Sequence, residues 1–365
     1  MTYVIAIAGI AALVLIHEFG HFIVAKAVGM RVERFSLFFG PMLVKVRRGE
    51  TEYGIGPIPL GGYVKITGMN PNEEIPPEVA HRAYYRQPVW KRVVVILAGP
   101  AMNLLVAFVI LTGLVLSKGL VATSHGQEVA SPTVAAGSLV APASHYLKVG
   151  DRIVAVDGKR GLTVPQIATE ISSHHCAGTA TSGCRAATPV TLVVSRHGTL
   201  ETFTIYPRYD QSLKKTRIGF GFSPEIRHFG LVGAAGQGVN QMWYVTHTTV
   251  SRIVQIFKPQ DRKQLHGIVG ATDIARQAVA LGPAVALNVL ALISLSLAII
   301  NLFPFLPLDG GHVFWALAEK VRGRPIPFSI MERAGVVGFV LVILIGVIGL
   351  SNDISSLTGS GLQLR

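Results

Sequence analysis

Four long apolar stretches run through the chain, and each is long enough to cross a lipid bilayer. They cover residues 2–28, 93–117, 283–308 and 334–350. A helix needs about 20 mostly apolar residues to span the hydrocarbon layer of a membrane. The pattern therefore predicts a polytopic α-helical membrane protein with four transmembrane helices.

Basic residues cluster in two of the loops between these spans, and this clustering predicts the orientation. Loops rich in lysine and arginine stay on the cytoplasmic side of a membrane. Both loops are therefore expected in the cytoplasm, with the N-terminus, the long middle region and the C-terminus outside. The basic residues are Arg31, Arg34, Lys45, Arg47, Arg48, Lys65, Arg82, Arg86, Lys91 and Arg92 in the first loop and Lys320, Arg322, Arg324 and Arg333 in the second.

The first of these loops alternates between apolar and polar positions, which predicts a small membrane-associated β element. Strands are predicted at 43–46, 51–55 and 62–66, with turns at 48–50 and 57–61. An unpaired edge of such an element can bind an extended peptide by strand addition. A plain amphipathic hairpin on the membrane surface explains the same pattern, and the alternation does not separate the two.

The middle of the chain, residues 121–208, has a soluble composition and is rich in strand patterns, which predicts an inserted extracytoplasmic α/β domain. A strand ends at the Asp157-Gly158 turn, a short helix covers 164–172, and a hairpin covers 189–205. Residues 236–258 follow with apolar positions at helical spacing. This helix either lies on the outer membrane surface or packs against the inserted domain.

Composition agrees with a membrane protein, since 50% of the 365 residues are hydrophobic and only 15% are charged. The net charge of +13 does not indicate nucleic-acid binding, because no basic-aromatic RNA motif or DNA-reading helix accompanies it. Most of the basic excess lies beside the apolar spans, where it is expected to set the orientation and to meet anionic lipid. The predicted segments are a first span (1–28), a cytoplasmic loop with the β element (29–92), a second span (93–117), the inserted domain (118–208), an amphipathic-helix region (209–282), a third span (283–312), a cytoplasmic loop (313–333) and a fourth span with a tail (334–365).

Only two cysteines occur, Cys176 and Cys184, which excludes a fold built on disulfides. They lie in a stretch, residues 173–187, that interrupts the strand pattern as an insertion. Because His174 and His175 precede Cys176, three uses of the stretch stay open. These are a local metal site, a disulfide in an oxidising compartment, and a pair of free thiols.

The first span contains a His-Glu-x-x-His motif formed by His17, Glu18 and His21. Two histidines four positions apart share one face of a helix and can bind one metal ion, while the glutamate can take a proton from a nearby water. The alternative is a set of polar side chains that hydrogen-bond to neighbouring helices. Ionisable groups are costly inside an apolar span, so three of them together favour a zinc site.

A catalytic zinc ion needs a third protein ligand and an open fourth position. Asp309 follows the third span at its cytoplasmic end, the same depth as the two histidines. The prolines and glycines of residues 304–311 are expected to break the helix there, and non-helical backbone at membrane depth requires protein or a watery cavity around it. His312 is a rival for the role of third ligand.

Taken together, these stretches resemble the site-2 protease family of intramembrane zinc metalloproteases, and among them the bacterial regulators of envelope sigma factors with a single PDZ domain. The resemblance covers nearly the whole chain. The residues that carry it are 17–21, 99–103, 150–158 and 301–310. It implies a zinc cofactor held by His17, His21 and Asp309, with Glu18 as the catalytic base.

The same resemblance implies how a substrate is held. Asn301 and Pro304 are expected to hold an unwound substrate, and residues 44–66 to form a re-entrant β element in which Tyr63 and Val64 contact it. The inserted domain is expected to be PDZ-like. The expected substrates are single-span membrane proteins such as anti-sigma factors, together with remnant signal peptides, in the bacterial inner membrane.

Two other functions use the same features. A PDZ-bearing membrane adaptor needs no catalysis, and it predicts that Glu18→Gln leaves the biological output intact. A metal transporter would use His17, His21 and Asp309 as a transit site, but the second and fourth predicted spans contain no ionisable residue for a relay. Proteolysis is therefore the predicted function.

Overall fold

The computed structural model describes residues 1–70, 73–124, 127–128, 130–135, 139–254 and 267–358. Two compact units make up the chain: unit 1 comprises Met1–Ser117 and Gly230–Arg365, and unit 2 comprises Lys118–Phe229. The described residues form the α-helices α1 (Thr2–Ala27), α2 (Val89–Lys118), α3 (Val164–Ser172), α4 (Leu231–Val254), α5 (Ile268–Leu281), α6 (Pro283–Asn301), α7 (Asp309–Arg322) and α8 (Phe328–Thr358).

Helices α1, α2, α6 and α8 are long and apolar enough to cross a membrane, which confirms the four apolar helices that the sequence predicts. Their bounds differ from the prediction. Helix α2 begins earlier and α8 extends further at both ends, because helical hydrogen bonds continue through the polar residues that flank an apolar run. Helix α6 ends at Asn301 instead of 308, since Pro304 lacks the N–H that a further turn requires. The helix predicted over 236–258 is α4; its predicted end, like residues 359–365 of the predicted tail, lies outside the described residues.

Between α1 and α2, unit 1 has a sheet of four strands, β1 (Val32–Phe39), β2 (Val44–Arg48), β3 (Thr51–Ile55) and β4 (Ile58–Ile66). Their order is β2-β3-β1-β4, in which β1 pairs with β3 in parallel and with β4 antiparallel. The sequence predicts β2, β3 and β4 but misses β1, because Glu33 and Arg34 interrupt its alternation. The turn predicted over 57–61 is wrong, since β4 already begins at Ile58.

A buried cluster holds this sheet against the two helices that flank it. Ala25 at the end of α1, Val32 of β1, Ile66 of β4 and Val95 of α2 are all buried in it. Apolar burial contributes about 25 cal/mol per Å², so these contacts fix β4 beside α1.

Unit 2 is built on a six-stranded sheet and α3. Its described strands are β5 (Leu120–Val121), β6 (Thr123–Ser124), β7 (Gln127–Glu128), β8 (Ala130–Val134), β9 (Arg152–Val156), β10 (Lys159–Arg160), β11 (Val190–Arg196), β12 (Thr199–Ile205), β13 (Arg208–Asp210), β14 (Lys215–Arg217), β15 (Phe222–Pro224) and β16 (Ile226–Arg227). The sheet has the order β12-β11-β9-β8-β15, with β10 paired to β9. Its core contains Ile153, Ile167 of α3, Leu192 and Ile205. The helix and the hairpin that the sequence predicts are confirmed as α3 and as β11 with β12.

Unit 2 ends later in the chain than the sequence predicts. The compact unit continues past position 208 to Phe229, because β15 pairs with β8 near the beginning of the unit.

Cys176 and Cys184 form a disulfide within the insertion. Of the three uses that the sequence left open for these cysteines, the structure has the disulfide.

Candidate metal centre

His17 and His21 lie one turn apart on α1, and both are almost fully buried, at 6% and 7% exposure. They face the contact between α1 and α2. Gly20 permits that contact, because a Cβ at position 20 would collide with the carbonyl of Ala98 in α2. The apolar run around the motif forms the helix, and the four-residue spacing turns both imidazoles to the same side.

Asp309 is the first residue of α7 and follows a non-helical turn, residues 302–308. Two prolines keep this turn out of the helices on either side. Gly310 lets the turn fold back against the beginning of α7, since a Cβ there would collide with two carbonyls of the turn. The carboxylate thereby reaches His17 across 292 positions of sequence.

Three side-chain atoms converge at this point. Nε2 of His17 lies 3.1 Å from Oδ2 of Asp309, and Nε2 of His21 lies 3.3 Å from each of those two atoms. A tetrahedral zinc ion with bonds of about 2.0–2.1 Å holds its ligand atoms about 3.3 Å apart. Within the part of the chain that the structure describes, this is the group of three that could hold a metal ion. The donor set and its spacing fit zinc with one position left open.

The orientation of His21 is set by α2. Its Nδ1–H donates a hydrogen bond of 2.9 Å to the carbonyl of Val95. Since a carbonyl only accepts, the lone pair of the neutral ring is on Nε2, which faces His17 and Asp309. Gly99 gives the ring its room, because a Cβ at position 99 would collide with the imidazole.

Glu18 lies beside the edge strand β4. A Cβ at Gly62 would be 2.8 Å from Cγ of Glu18, and the backbone N–H of Val64 donates to the Glu18 carboxylate. Tyr63, between these two residues, stacks on Phe39 with ring centroids 5.6 Å apart. Tyr63 and Val64 therefore lie on the part of β4 that passes Glu18.

Asn301 and Pro304 lie on the segment that leads to Asp309. Asn301 is half-buried at the end of α6, and Pro304 is exposed in the turn that follows. His312 is half-buried one turn after Asp309. Among the described residues, His312 is not part of the converging group, so the rival ligand lies outside the cluster.

Two polar contacts near the centre were not predicted from the sequence. Asn103 of α2, completely buried, has Nδ2 3.3 Å from Nδ1 of His17. Arg92, also on α2, makes two hydrogen bonds of 3.0 and 2.7 Å to the carboxylate of Glu319 in α7. An amide inside an apolar span was the available indication for Asn103. No spacing rule connects Arg92 with Glu319.

Comparisons with known proteins agree with this chemistry. The family model described as Peptidase family M50 matches residues 5–345. A protein of Rhizobium meliloti, provisionally named a zinc metalloprotease, is 31% identical to the chain over 95% of the chain and 94% of its own length. A protein of Clostridium acetobutylicum with the same provisional name is 28% identical over 96% of both. Zinc metalloprotease Rip1 of Mycobacterium tuberculosis is 31% identical over 85% of the chain and 83% of its own length.

Proposed function

The chain belongs to peptidase family M50, and from that premise we propose that it is an intramembrane zinc endopeptidase of the site-2 type. His17, His21 and Asp309 bind the zinc ion, and Glu18 is the general base. The observation that carries the proposal is the convergence of three ligand atoms at 3.1–3.3 Å beside Glu18, on helices apolar enough to lie in a membrane.

The residues of the site divide the chemistry between them. When bound, zinc supplies the Lewis acidity that lowers the pKa of water towards about 7 and polarises the scissile carbonyl. Glu18 takes the proton of the attacking water and passes it to the leaving amine. The two carboxylates, Glu18 and Asp309, balance the double positive charge of zinc, which reduces the cost of keeping the loaded site in an apolar environment.

Substrate binding requires an extended chain. A transmembrane helix keeps its peptide groups in internal hydrogen bonds, so the segment to be cut must unwind. The position of β4 supports strand addition as the means, because β4 is the outer strand of the described sheet and passes Glu18. Tyr63 and Val64 then contact the substrate from β4, and Asn301 with Pro304 hold it from the segment that leads to Asp309.

The substrates are single-span membrane proteins such as anti-sigma factors, together with remnant signal peptides. The protein lies in the bacterial inner membrane with both termini outside and the site towards the cytoplasm, since basic residues cluster in 29–92 and 313–333. Unit 2 is a PDZ-like domain that acts as a size filter and excludes substrates whose outer parts are uncut. Capture of a peptide carboxylate is the other role of such a domain.

The proposal is tested with the purified protein and single-span substrates in liposomes. Glu18→Gln is expected to slow cleavage by about 10²–10⁴-fold, the usual contribution of a general base, while the zinc content stays unchanged. Glu78→Gln, at an exposed position, is the matched control and is expected to cleave at the wild-type rate. Cleavage by Glu18→Gln at the wild-type rate would remove Glu18 from the mechanism and favour the adaptor function.

A further inference from the structure

Asn103 has an incompletely bonded amide at the most buried part of the centre. Its Nδ2 lies 3.3 Å from Nδ1 of His17, whereas its Oδ1 is buried and has no hydrogen-bond partner. Its backbone carbonyl accepts a hydrogen bond of 2.9 Å from Oγ of Ser294 in α6, so the helix position is fixed independently of the side chain. A buried polar atom without a partner is costly and calls for an explanation.

The contact between Asn103 and His17 depends on which ring nitrogen of His17 carries the proton. If Nδ1 of His17 accepts from Nδ2–H of Asn103 across their 3.3 Å separation, the proton of the neutral ring must be on Nε2, the atom 3.1 Å from Oδ2 of Asp309. This tautomer has no free lone pair on Nε2. Zinc binding through Nε2 requires the proton on Nδ1, where it needs an acceptor.

The amide of Asn103 can supply that acceptor without any movement of the helix. A rotation of 180° about the last side-chain bond exchanges the amide oxygen and nitrogen at nearly the same positions. The oxygen then accepts from Nδ1–H of His17. The rotation pairs the amide oxygen with the relocated proton of His17, and the amide nitrogen takes the position that Oδ1 held before.

We propose that Asn103 is a positioning residue that holds His17 in the zinc-binding tautomer. The inference rests on the proposed function, because it takes His17 as a zinc ligand. In this proposal, α2 orients both imidazoles of α1. The carbonyl of Val95 orients His21, and the side-chain amide of Asn103 orients His17. A side chain at position 103 that lacks an acceptor leaves the Nδ1–H of His17 unpaired in a buried site.

The experiment measures zinc affinity by competition with a chelator and records the d–d absorption spectrum of the Co²⁺-substituted protein. Asn103→Leu is expected to weaken zinc binding by about 10–100-fold and to change the Co²⁺ spectrum. Asn103→Asp keeps an acceptor and is expected to retain the wild-type affinity and spectrum. Thr112→Val is the matched control, since Thr112 is a buried polar residue of α2 whose Oγ1 also has no partner; it is expected to bind zinc as the wild type does.

Thermal melting in excess chelator checks that each variant folds; if Asn103→Leu does not melt cooperatively, Asn103→Ala takes its place with the same expectation. Wild-type affinity and an unchanged Co²⁺ spectrum in the variant without an acceptor would overturn the inference and leave the proposed zinc site intact. A wild-type protein that binds no zinc would instead overturn the proposed function.

Discussion

Gly99 is a residue whose missing side chain makes room for the imidazole of His21, a proposed zinc ligand. A methyl group at this position would collide with the ring of His21. The helices cannot move apart to relieve the collision without breaking the close contact between Gly20 of α1 and Ala98 of α2. A methyl group at position 99 is therefore expected to rotate the imidazole of His21.

Gly99→Ala is expected to lower zinc affinity by about 10–100-fold, the range seen when the orientation of a ligand is disturbed, and to lower proteolysis with it. Chelator competition measures the first and substrate cleavage the second. Gly113→Ala is the control on the same helix, because a Cβ at position 113 meets nothing within 4 Å. The control is expected to bind zinc normally and to gain up to about 1 kcal/mol of helix stability. Wild-type zinc affinity in Gly99→Ala would show that the His21 ring can accommodate the added methyl group.

The residues of the centre were predictable to different degrees. His17, Glu18 and His21 follow from two local properties of the sequence: a helix puts positions i and i+4 on one face, and ionisable groups inside an apolar span are costly. Asp309 required an argument about depth in the membrane and a family resemblance. The contact between Asn103 and His17 was beyond the sequence, because the partner of an amide depends on which helix faces it.

At the scale of elements, one ion pair joins α2 to α7. The guanidinium of Arg92 binds both carboxylate oxygens of Glu319, and their side chains are 10% and 24% exposed. A bidentate pair of this kind restricts both distance and rotation. Because α7 begins at Asp309, the pair helps to hold the helix that carries the proposed third ligand.

Arg92→Leu is expected to destabilise unit 1 by about 1–3 kcal/mol, since it leaves the partly buried Glu319 carboxylate without its partner. The double variant Arg92→Leu/Glu319→Leu is expected to recover part of that loss. Thermal unfolding in detergent measures both effects, with zinc content as a second readout. The exposed pair Lys159–Glu170 is the control, and Lys159→Met is expected to cost less than about 1 kcal/mol. Equal losses of stability in Arg92→Leu and Lys159→Met would show that the Arg92–Glu319 pair contributes no more than an exposed ion pair.

Elements with strong local patterns were predicted, and those without were not. Helices α1, α2, α6 and α8 follow from runs of apolar residues. Strand β1 was missed, since its central position in the sheet comes from pairing with β3 and β4 and not from its own alternation. Pairing partners are chosen by tertiary packing, which a local pattern does not record.

At the scale of the whole molecule, unit 2 has a buried core and an ionic network of its own. The Asp151 carboxylate accepts hydrogen bonds from the guanidinium of Arg196 at 2.9 and 2.7 Å and from the amide of Lys148 at 2.7 Å. Burial raises the pKa of Asp151, but these hydrogen bonds outweigh burial and hold its pKa below the usual value. The carboxylate thus favours the folded state in its charged form.

The stability of unit 2 is therefore expected to depend on pH. With a lower pKa in the folded than in the unfolded state, Asp151 contributes fully above the unfolded value of about 3.9, and the contribution is lost as pH falls through the folded pKa. Denaturant midpoints of the isolated 118–229 segment at pH 7 and pH 3 measure the loss. Asp151→Asn is expected to be less stable at pH 7 and to lose less on acidification, whereas the more exposed Glu225→Gln should behave as the wild type. A wild-type pH dependence in Asp151→Asn would assign the effect to other carboxylates.

The sequence by itself determined the four apolar helices, the strand-rich insertion, and the pair of histidines with their glutamate, because hydropathy and helical spacing are local properties of a chain. Only the tertiary structure decided that Asp309 reaches His17 across 292 positions, that β4 passes Glu18, and that α2 contacts both imidazoles. These contacts depend on how closely two backbones approach. That distance is set by glycines such as Gly20 and Gly99, whose effect appears only once their neighbours are in place.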